Sequence, residues 1–186
     1  MYSYAMGGNE ILSTARLSAR FLDLADLDGL AAILADAAVM RFIETGATYT
    51  RAQTADLIRR HRRYAQTNNH GLWALVRPAD GMLLGWCGIL PTRVDNRLEM
   101  EFGYLLAAFA WGHGYATEIG RALVAFAEAD LAINGLIAMT HPDNAPSVHV
   151  IEKCGLAFEK RVTLPKGPRL IYRRPGVETL IPPNLT

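Results

Sequence analysis

The chain has 186 residues, 51% of them hydrophobic and 20% charged, which is enough for one domain with a sizeable apolar core. Its formal net charge is +1, so no overall field favours nucleic acid or a membrane surface as a partner. No stretch is long and apolar enough to span a bilayer, and residues 1–10 have no basic patch ahead of an apolar run, so the cytoplasm is the expected location.

Capping signals predict two helices in the first third of the chain. Asp26 is a suitable N-cap ahead of apolar residues at helical spacing, and Thr50 and Gln53 have the spacing of a capping box. The predicted elements are, in order, a loose leader over 1–13, a strand at Ala15–Leu22, a helix from about Asp26, a helical turn or bend at Met40–Ile43, and a helix from about Thr50 to Asn68.

The second of these helices carries the basic run Arg59-Arg60-His61-Arg62-Arg63. Such a run can meet an acidic substrate or RNA, but it is also typical of a solvated helix face. Because the rest of the chain is not basic, the solvated face is the favoured interpretation.

Three antiparallel strands are expected next, joined by two short turns. Asp80-Gly81 and Asp95-Asn96 are residue pairs that favour tight turns between strands. The predicted strands are Leu72–Arg77, Leu83–Leu90 and Leu98–Leu106.

The remaining elements alternate between helix and strand. Asn144 is a suitable N-cap, and Pro146 lies in the first turn that follows, where its missing N–H costs nothing. The predicted elements are a helix over Gly114–Leu131, a strand at Leu136–Thr140, a helix over Ala145–Cys154, strands at Ala157–Thr163 and Arg169–Arg173, and a tail over 175–186. This order predicts a single α/β (α+β) domain over 14–174, with a mixed sheet of about seven strands and about four helices.

The turn between the third strand and the long helix is the clearest candidate site. A helix N-terminus offers free N–H groups and a positive dipole end, and glycine lets a phosphate approach the backbone. The Walker A pattern is absent, and the dinucleotide pattern fails because Thr117 stands at its last glycine position. Gly112 and Gly114 therefore indicate either an anion site or simply a tight turn.

Two sequence blocks resemble the GNAT acetyltransferase superfamily, and within it the branch of ribosomal-protein N-terminal acetyltransferases. The first comprises Glu101–Leu106 followed by Trp111–Glu118, and the second comprises Thr140–Ser147 followed by Val150–Leu156. Thr14–Leu17 and Met40–Ile43 agree more weakly. The resemblance covers about residues 13–172.

This resemblance implies that acetyl-CoA is the co-substrate. It implies that the CoA pyrophosphate is held by backbone N–H groups of Gly112, His113, Gly114, Tyr115, Ala116 and Thr117. It further implies that the strand end at Tyr104, Leu105 and Leu106 pairs with the pantetheine amide. Trp111 stands where the wider superfamily has Arg or Gln, so that position supplies no cation. A homodimer is compatible with the family likeness.

The expected reaction is direct attack of a neutral amine on a thioester, which needs a base but no enzyme nucleophile. Glu101 is the favoured base, because strand alternation puts it opposite Phe102 and Tyr104 and next to the expected thioester, where partial desolvation would raise its pKa. A purely structural strand residue is the alternative. Glu99 shares its face and is the reserve candidate.

Ser147 is the candidate donor to the leaving thiolate, since it matches the branch's Asn-x-x-Ser pattern with Asn144. Asn144 can also contact the pantetheine, although capping alone would explain it. Tyr104 can donate to the thiolate instead, although a core position is the favoured interpretation.

Other reactive side chains have plainer interpretations. His141 and His149 lack a third ligand at a typical spacing, so no metal site is predicted. Cys87 and Cys154 form no CxxC pair and are expected in the core of a protein from a reducing compartment. The strand residues Trp73 and Trp86 are expected to pack or to line the acceptor cleft.

The acceptor is the least determined part of the function. A protein N-terminal α-amine is favoured, because its pKa near 8 leaves roughly a tenth neutral at pH 7. A small amine such as an aminoglycoside, polyamine or amino-acid derivative is the alternative, and a CoA-binding sensor without turnover is a third.

Overall fold

The computed structural model describes residues 10–68 and 70–176, which form one mixed sheet with helices on both faces. The strands are β1 (Glu10–Ser13), β2 (Ser18–Phe21), β3 (Gly71–Arg77), β4 (Met82–Val94), β5 (Arg97–Leu106), β6 (Ile137–Thr140), β7 (Ala157–Leu164) and β8 (Gly167–Arg173). The helices are α1 (Leu27–Leu34), α2 (Ala37–Met40), α3 (Arg51–Thr67), α4 (Tyr115–Ala129) and α5 (Ala145–Lys153). The described ranges contain no helix with the length and apolar character needed to cross a membrane.

The eight strands lie in the order β1-β2-β3-β4-β5-β6-β8-β7. The centre is the predicted meander of β3, β4 and β5, and its second turn is made by Asp95 and Asn96 with φ of 49° and 63°. Two consecutive positive φ values match the turn that suits the twist of a two-residue hairpin, which explains the choice of Asp-Asn there.

Side chains alternate across the sheet and build a core on each face. On β3, Trp73 and Leu75 pack in the cluster that contains Ile119 and Leu123 of α4. Leu72 and Ala74 point the other way, into the cluster formed with α1 and α3. This period of two is what a strand covered on both sides requires.

The sheet opens at its middle, between β5 and β6. These two strands are parallel, and their pairing is limited to Glu101 opposite Ile137. Beyond that point β5 continues to Leu106 and, among the described residues, pairs with β4 alone, while β6 pairs with β8. The edge of β5 that faces β6 is therefore left without a strand partner over 102–106.

Helices α4 and α5 approach closely where α4 has a glycine. A Cβ built on Gly120 would lie 2.6 Å from Cys154 Sγ and 3.5 Å from a ring carbon of Phe102. Only a residue without a side chain fits this position without displacing one of its neighbours.

The predicted α/β (α+β) class and mixed sheet are confirmed, with one strand and one helix more than expected. The extra strand is β1, which occupies the end of the predicted leader, and its Leu12 is fully buried. The opening strand predicted at Ala15–Leu22 is shorter, because Thr14–Leu17 forms the turn of a β1–β2 hairpin. Residues 1–9 and 177–186, which include most of the predicted leader and tail, lie outside the described residues.

Two boundaries and one capping interaction differ from the prediction for identifiable reasons. Asp36 caps the short helix α2, so this helix begins before the predicted Met40–Ile43. Asp26 stands at the N-cap of α1, but its carboxylate binds Arg20 and the Asp23 N–H instead of the helix. Strand β4 runs past Pro91, which lies beyond the last residue paired with β3, so its missing N–H breaks no ladder there.

Candidate functional site

The gap between β5 and β6 is the mouth of a cavity of about 950 Å³. Its walls are the end of β5, strand β6, the first turns of α4 and α5, and the loop after α2. The sequence-predicted residues that line it are Glu101, Tyr104, Leu105, Leu106, Trp111, Gly112, Gly114, Tyr115, Ala116, Thr117, Asn144 and Ser147. Of the predicted set, His113 alone does not line the cavity through the described atoms.

One wall is the segment Trp111–Thr117, which we call the anion turn. Gly112 and Gly114 have φ of 78° and 77°, the left-handed region where glycine carries no steric cost. A Cβ on Gly112 would meet nothing within 4 Å, so the backbone there is open to a ligand. Within the described chain no side chain caps α4, and the N–H groups of residues 112–117 have no acceptor. Free amides at a helix N-terminus are suited to bind an anion.

A cation from the β1–β2 turn lies against the anion turn. Arg16 donates from Nη1 to His113 O at 3.1 Å and from Nε to Glu118 Oε2 at 2.7 Å, and its guanidinium lies 4.7 Å from the centre of the Tyr115 ring. Burial alone would raise the pKa of Glu118, but hydrogen bonds from Thr14 and Arg16 lower it, so this carboxylate remains an anion. The sequence interpretation missed Arg16, although the Thr14–Leu17 block contains it.

Trp111 closes the end of the free strand edge. Its Nε1 donates to Leu106 O at 2.9 Å, while about half of the side chain stays exposed. The Leu106 carbonyl is therefore already engaged. The nearest backbone groups that face the free edge are those of Tyr104, because the N–H and C=O of Leu105 point towards β4.

Glu101 lies at the last paired position before β5 and β6 separate, and its carboxylate faces the cavity. Desolvation by the surrounding protein raises its pKa to about 7, although the charge of Arg169 and the Met139 N–H act in the opposite direction. A carboxylate that is half ionised near neutral pH suits proton abstraction.

Glu99, the reserve candidate, lies in a different environment. Both of its oxygens accept from Arg173, at 2.9 and 3.0 Å, and the residue is 5% exposed. It does not line the cavity. The geometry therefore favours Glu101 over Glu99 as the group that can reach a bound amine.

Ser147 and Tyr104 meet across the cavity. Their hydroxyl oxygens are 3.4 Å apart, and burial raises the pKa of Tyr104 to about 12, so this phenol is a neutral hydrogen-bond donor. Asn144 Oδ1 accepts from the Ser147 N–H at 3.3 Å and so caps α5 as predicted. The structure thus brings Tyr104 and Ser147 together as a pair of donors.

A second part of the cavity, which we call the basic end, is formed by Arg41, Phe42, Glu44 and Arg169. Arg169 is 9% exposed and donates to the backbone carbonyls of Glu44 and Pro168, both at 2.8 Å. Arg41 is exposed and lies 4.9 Å from the centre of the Phe42 ring. None of these four residues was singled out as a site residue from the sequence, because loop and hairpin residues far apart in the chain give no local pattern.

The remaining candidates take structural positions. His141 stacks on Phe42 at 5.4 Å and accepts from the Asp143 N–H, and the described residues contain no group of three potential metal ligands. Cys87 and Cys154 are buried in the core, as predicted, and burial raises the pKa of both thiols. Trp73 packs in the core, while Trp86 lines the cavity.

Residues 16–157 match the model of the acetyltransferase (GNAT) domain family. Two relatives match this chain over most of their length. YkkB of Bacillus subtilis is 31% identical over 122 residues, which are 66% of this chain and 71% of the relative. The N-acetyltransferase p20 of Bacillus licheniformis is 26% identical over 151 residues, 81% of this chain and 83% of the relative.

Solved structures share the fold at lower identity. RimL, a ribosomal α-N-protein acetyltransferase in complex with coenzyme A, has a TM-score of 0.73 at 15% identity, covering 87% of this chain and 94% of its own. The aminoglycoside acetyltransferase AAC(6')-Ib, also with coenzyme A, has a TM-score of 0.69 at 21% identity, covering 88% and 94%. With a family match over most of its length, the chain belongs to the GNAT family of acyl-CoA-dependent N-acetyltransferases.

Proposed function

We propose that this enzyme transfers the acetyl group of acetyl-CoA to the α-amine at the N-terminus of a protein, with Glu101 as the general base. The observation that carries the proposal is the position of Glu101. Its carboxylate lies where β5 and β6 separate and has a pKa near 7. An α-amine with a pKa near 8 needs only such a modest base, whereas a lysine amine near 10.4 would need over three units of correction.

The donor would lie along the free edge of β5, with its pyrophosphate on the anion turn. Free N–H groups of residues 112–117 can bind the phosphate oxygens, each contributing roughly 1.5–3 kcal/mol. The backbone groups of Tyr104, which face this free edge, can pair with a pantetheine amide. In this arrangement the thioester would lie between Glu101 and the Tyr104–Ser147 pair, all of which line the cavity.

The reaction then balances without an enzyme nucleophile. The amine nitrogen attacks the thioester carbonyl carbon, and Glu101 takes a proton from that nitrogen, directly or through water. The tetrahedral adduct collapses with cleavage of the C–S bond. The CoA thiolate leaves with a hydrogen bond from Tyr104 or Ser147 and ends as the free thiol, so the products are an amide and CoA.

Thiol release from acetyl-CoA tests this proposal with three acceptor sets: peptides that begin with Ser or Ala, the same peptides already Nα-acetylated, and small amines including spermidine and an aminoglycoside. The free peptides should be turned over and the acetylated ones should not. Faster turnover of the small amines would contradict the choice of acceptor, and no turnover of any amine would contradict the reaction itself.

The variant Glu101→Gln tests the base. It should lower kcat/KM by about 100-fold or more while CoA affinity is unchanged, because general-base assistance is typically worth 10²–10⁴. In the wild type, kcat/KM should rise with pH through about 7 as Glu101 loses its proton. A variant that keeps full activity and the same profile over pH 6–9 would exclude Glu101 as the base.

A further inference from the structure

The basic end of the cavity has little free negative charge. Glu44 and Glu101 are the only carboxylates among the described residues that line the cavity. The Glu44 carboxylate is already bound by Lys166 Nζ at 2.6 Å and by the Tyr49 hydroxyl at 3.0 Å. Glu101 is close to half protonated at neutral pH because it is desolvated. The Glu44 carboxylate is therefore not free to bind a polycationic acceptor.

The two arginines of the basic end, in contrast, form no ion pair among the described residues. Arg169 is 9% exposed, and its hydrogen bonds are to the carbonyl oxygens of Glu44 and Pro168. Within the described chain Arg169 forms no ion pair, because the carboxylate of neighbouring Glu44 is bound by Lys166. The charge of Arg169 acts on Glu101, but that carboxyl is about half protonated at neutral pH, so an anion bound beside Arg169 would further stabilise this nearly buried guanidinium.

A second cation lies at the exposed rim of the same surface. Arg41 lines the cavity over the Phe42 ring and has no ion pair among the described residues. Phe42 in turn stacks on His141, which limits where the Arg41 guanidinium can go. Arg60 of α3 adds to the positive field, since its charge acts on Glu44 and Tyr49.

From this arrangement we infer that the acceptor carries a carboxylate close to its reacting amine, as a protein N-terminus with Asp or Glu at its second or third residue does, and that Arg169 and Arg41 bind that carboxylate. The inference rests on the proposed function, because it names a property of the acceptor for the same reaction. Arg169 is close enough to Glu101 for its charge to act on that carboxyl, so an anion bound at Arg169 would hold the neighbouring amine near the base.

The first experiment compares three peptides that differ at one residue: Ser-Glu-Ala-Ala-Phe, Ser-Gln-Ala-Ala-Phe and Ser-Lys-Ala-Ala-Phe. The Glu peptide should have a kcat/KM roughly 10- to 100-fold above that of the Gln peptide, the range for a hydrogen bond between charged groups. The Lys peptide should be the poorest. Raising the ionic strength from low to high should reduce the preference, since exposed Arg41 is screened by salt. Equal kcat/KM for the Glu and Gln peptides would overturn the inference.

Variants separate charge recognition from a structural role, since Arg169 also tethers the loop at Glu44. Arg169→Lys keeps the charge and should keep part of the preference for Glu over Gln. Arg169→Gln and Arg41→Gln should each reduce that preference, with the larger loss at Arg169. The matched control Arg63→Gln removes a charge from the exposed face of α3 outside the cavity and should leave the preference unchanged. Equal losses on the Glu and Gln peptides in Arg169→Gln would mean that Arg169 only holds the loop.

A binding measurement distinguishes failure of this inference from failure of the proposed function. With CoA saturating, calorimetry compares the Nα-acetylated Glu and Gln peptides, which cannot react. Tighter binding of the acidic peptide that depends on Arg169, without thiol release from any free peptide, would uphold the inference and reject the reaction. Thiol release that depends on Glu101 but is equal for the Glu and Gln peptides would uphold the reaction and reject the inference. Faster reaction of malonyl-CoA than acetyl-CoA, lost in Arg169→Gln, would place the carboxylate on the donor and overturn the inference.

Discussion

The anion turn and the basic end present positive charge to the cavity by opposite means. The anion turn is one contiguous segment whose donors are backbone N–H groups, and its residues line one wall of the cavity. The basic end takes its charge from side chains on separate segments, Arg41 in the loop after α2 and Arg169 on β8. A backbone site tolerates many side chains but requires particular φ values, while a side-chain site can change with single substitutions in loops. The difference explains how one fold can keep its donor and vary its acceptor.

The largest expected effect tests whether the anion turn binds through its backbone. Gly112→Glu and Gly112→Gln share the same strain at φ 78° and nearly the same volume, and they differ in charge. The Glu variant should bind CoA about 100-fold more weakly than the Gln variant, or ~2.7 kcal/mol, because its carboxylate repels the pyrophosphate. Titration calorimetry with CoA measures this difference. Equal affinities would remove the anion turn from the donor site.

A smaller effect is expected at Tyr104 and Ser147, which line the same cavity as the two regions. Tyr104→Phe and Ser147→Ala should each lower kcat about tenfold with unchanged CoA affinity, because each removes a donor to the leaving thiolate. The double variant should lose only about 30-fold, since hydroxyls 3.4 Å apart act as one unit. Thiol-release kinetics at saturating acetyl-CoA provide the test. Full multiplication of the two single losses would show that the hydroxyls act independently.

Arg16 provides a further test of the comparison. If its guanidinium bound phosphate directly, the anion turn would bind through a side chain as well as through its backbone. We expect instead that Arg16 positions the turn, through His113 O and Glu118. Arg16→Gln and Glu118→Gln should then each weaken CoA binding about fivefold, and the double variant should lose little more. Equilibrium CoA titration of the three proteins measures this. If Glu118→Gln tightened CoA binding, a freed Arg16 would be acting on the phosphates.

The smallest effect is the contribution of Glu101 to folding stability. Because the pKa of Glu101 is raised from 4.5 to about 7 on folding, its stabilising contribution is complete below pH 4.5 and is lost as pH rises through about 7. At pH 8, the free energy of unfolding of Glu101→Gln should therefore be about 1–2 kcal/mol higher than that of the wild type. This figure is reduced for solvent screening, because the carboxyl faces the cavity. Below pH 4.5 the two should agree.

Urea denaturation at several pH values measures this difference, and Glu99→Gln is the matched control. Glu99 is buried and paired with Arg173, so its loss should destabilise the protein at pH 8. A Glu101→Gln protein that is less stable than the wild type at pH 8 would indicate that the carboxylate is stabilised in the fold, contrary to its raised pKa.

Local signals predicted most of the fold, because they depend on neighbours in the chain. The Thr50–Gln53 capping box and the Asp95-Asn96 turn both occur as predicted, since each is formed within four residues. Strand β1 was not predicted, because four residues are too few to show a period and the strand is defined by its pairing with β2.

The candidate site divides in the same way. The anion turn and the Asn144–Ser147 segment were identifiable because their residues are contiguous and carry the family pattern. Arg16 contacts the turn from almost a hundred residues away, and Arg169 meets Glu44 across 125 positions. Such contacts are set by sheet order and hairpin packing, which one sequence does not encode in any local pattern.

The absence of a side chain at Gly120 determines how closely α4 and α5 can pack. The two helices are so close here that a Cβ at position 120 would lie 2.6 Å from Cys154 Sγ. The anion turn lies at the start of α4, and the Asn144–Ser147 segment lies at the start of α5. Any methyl group at position 120 must push the helices apart or displace Cys154. The separation between the anion turn and the Ser147 hydroxyl therefore depends on the packing at Gly120, a buried position that does not line the cavity.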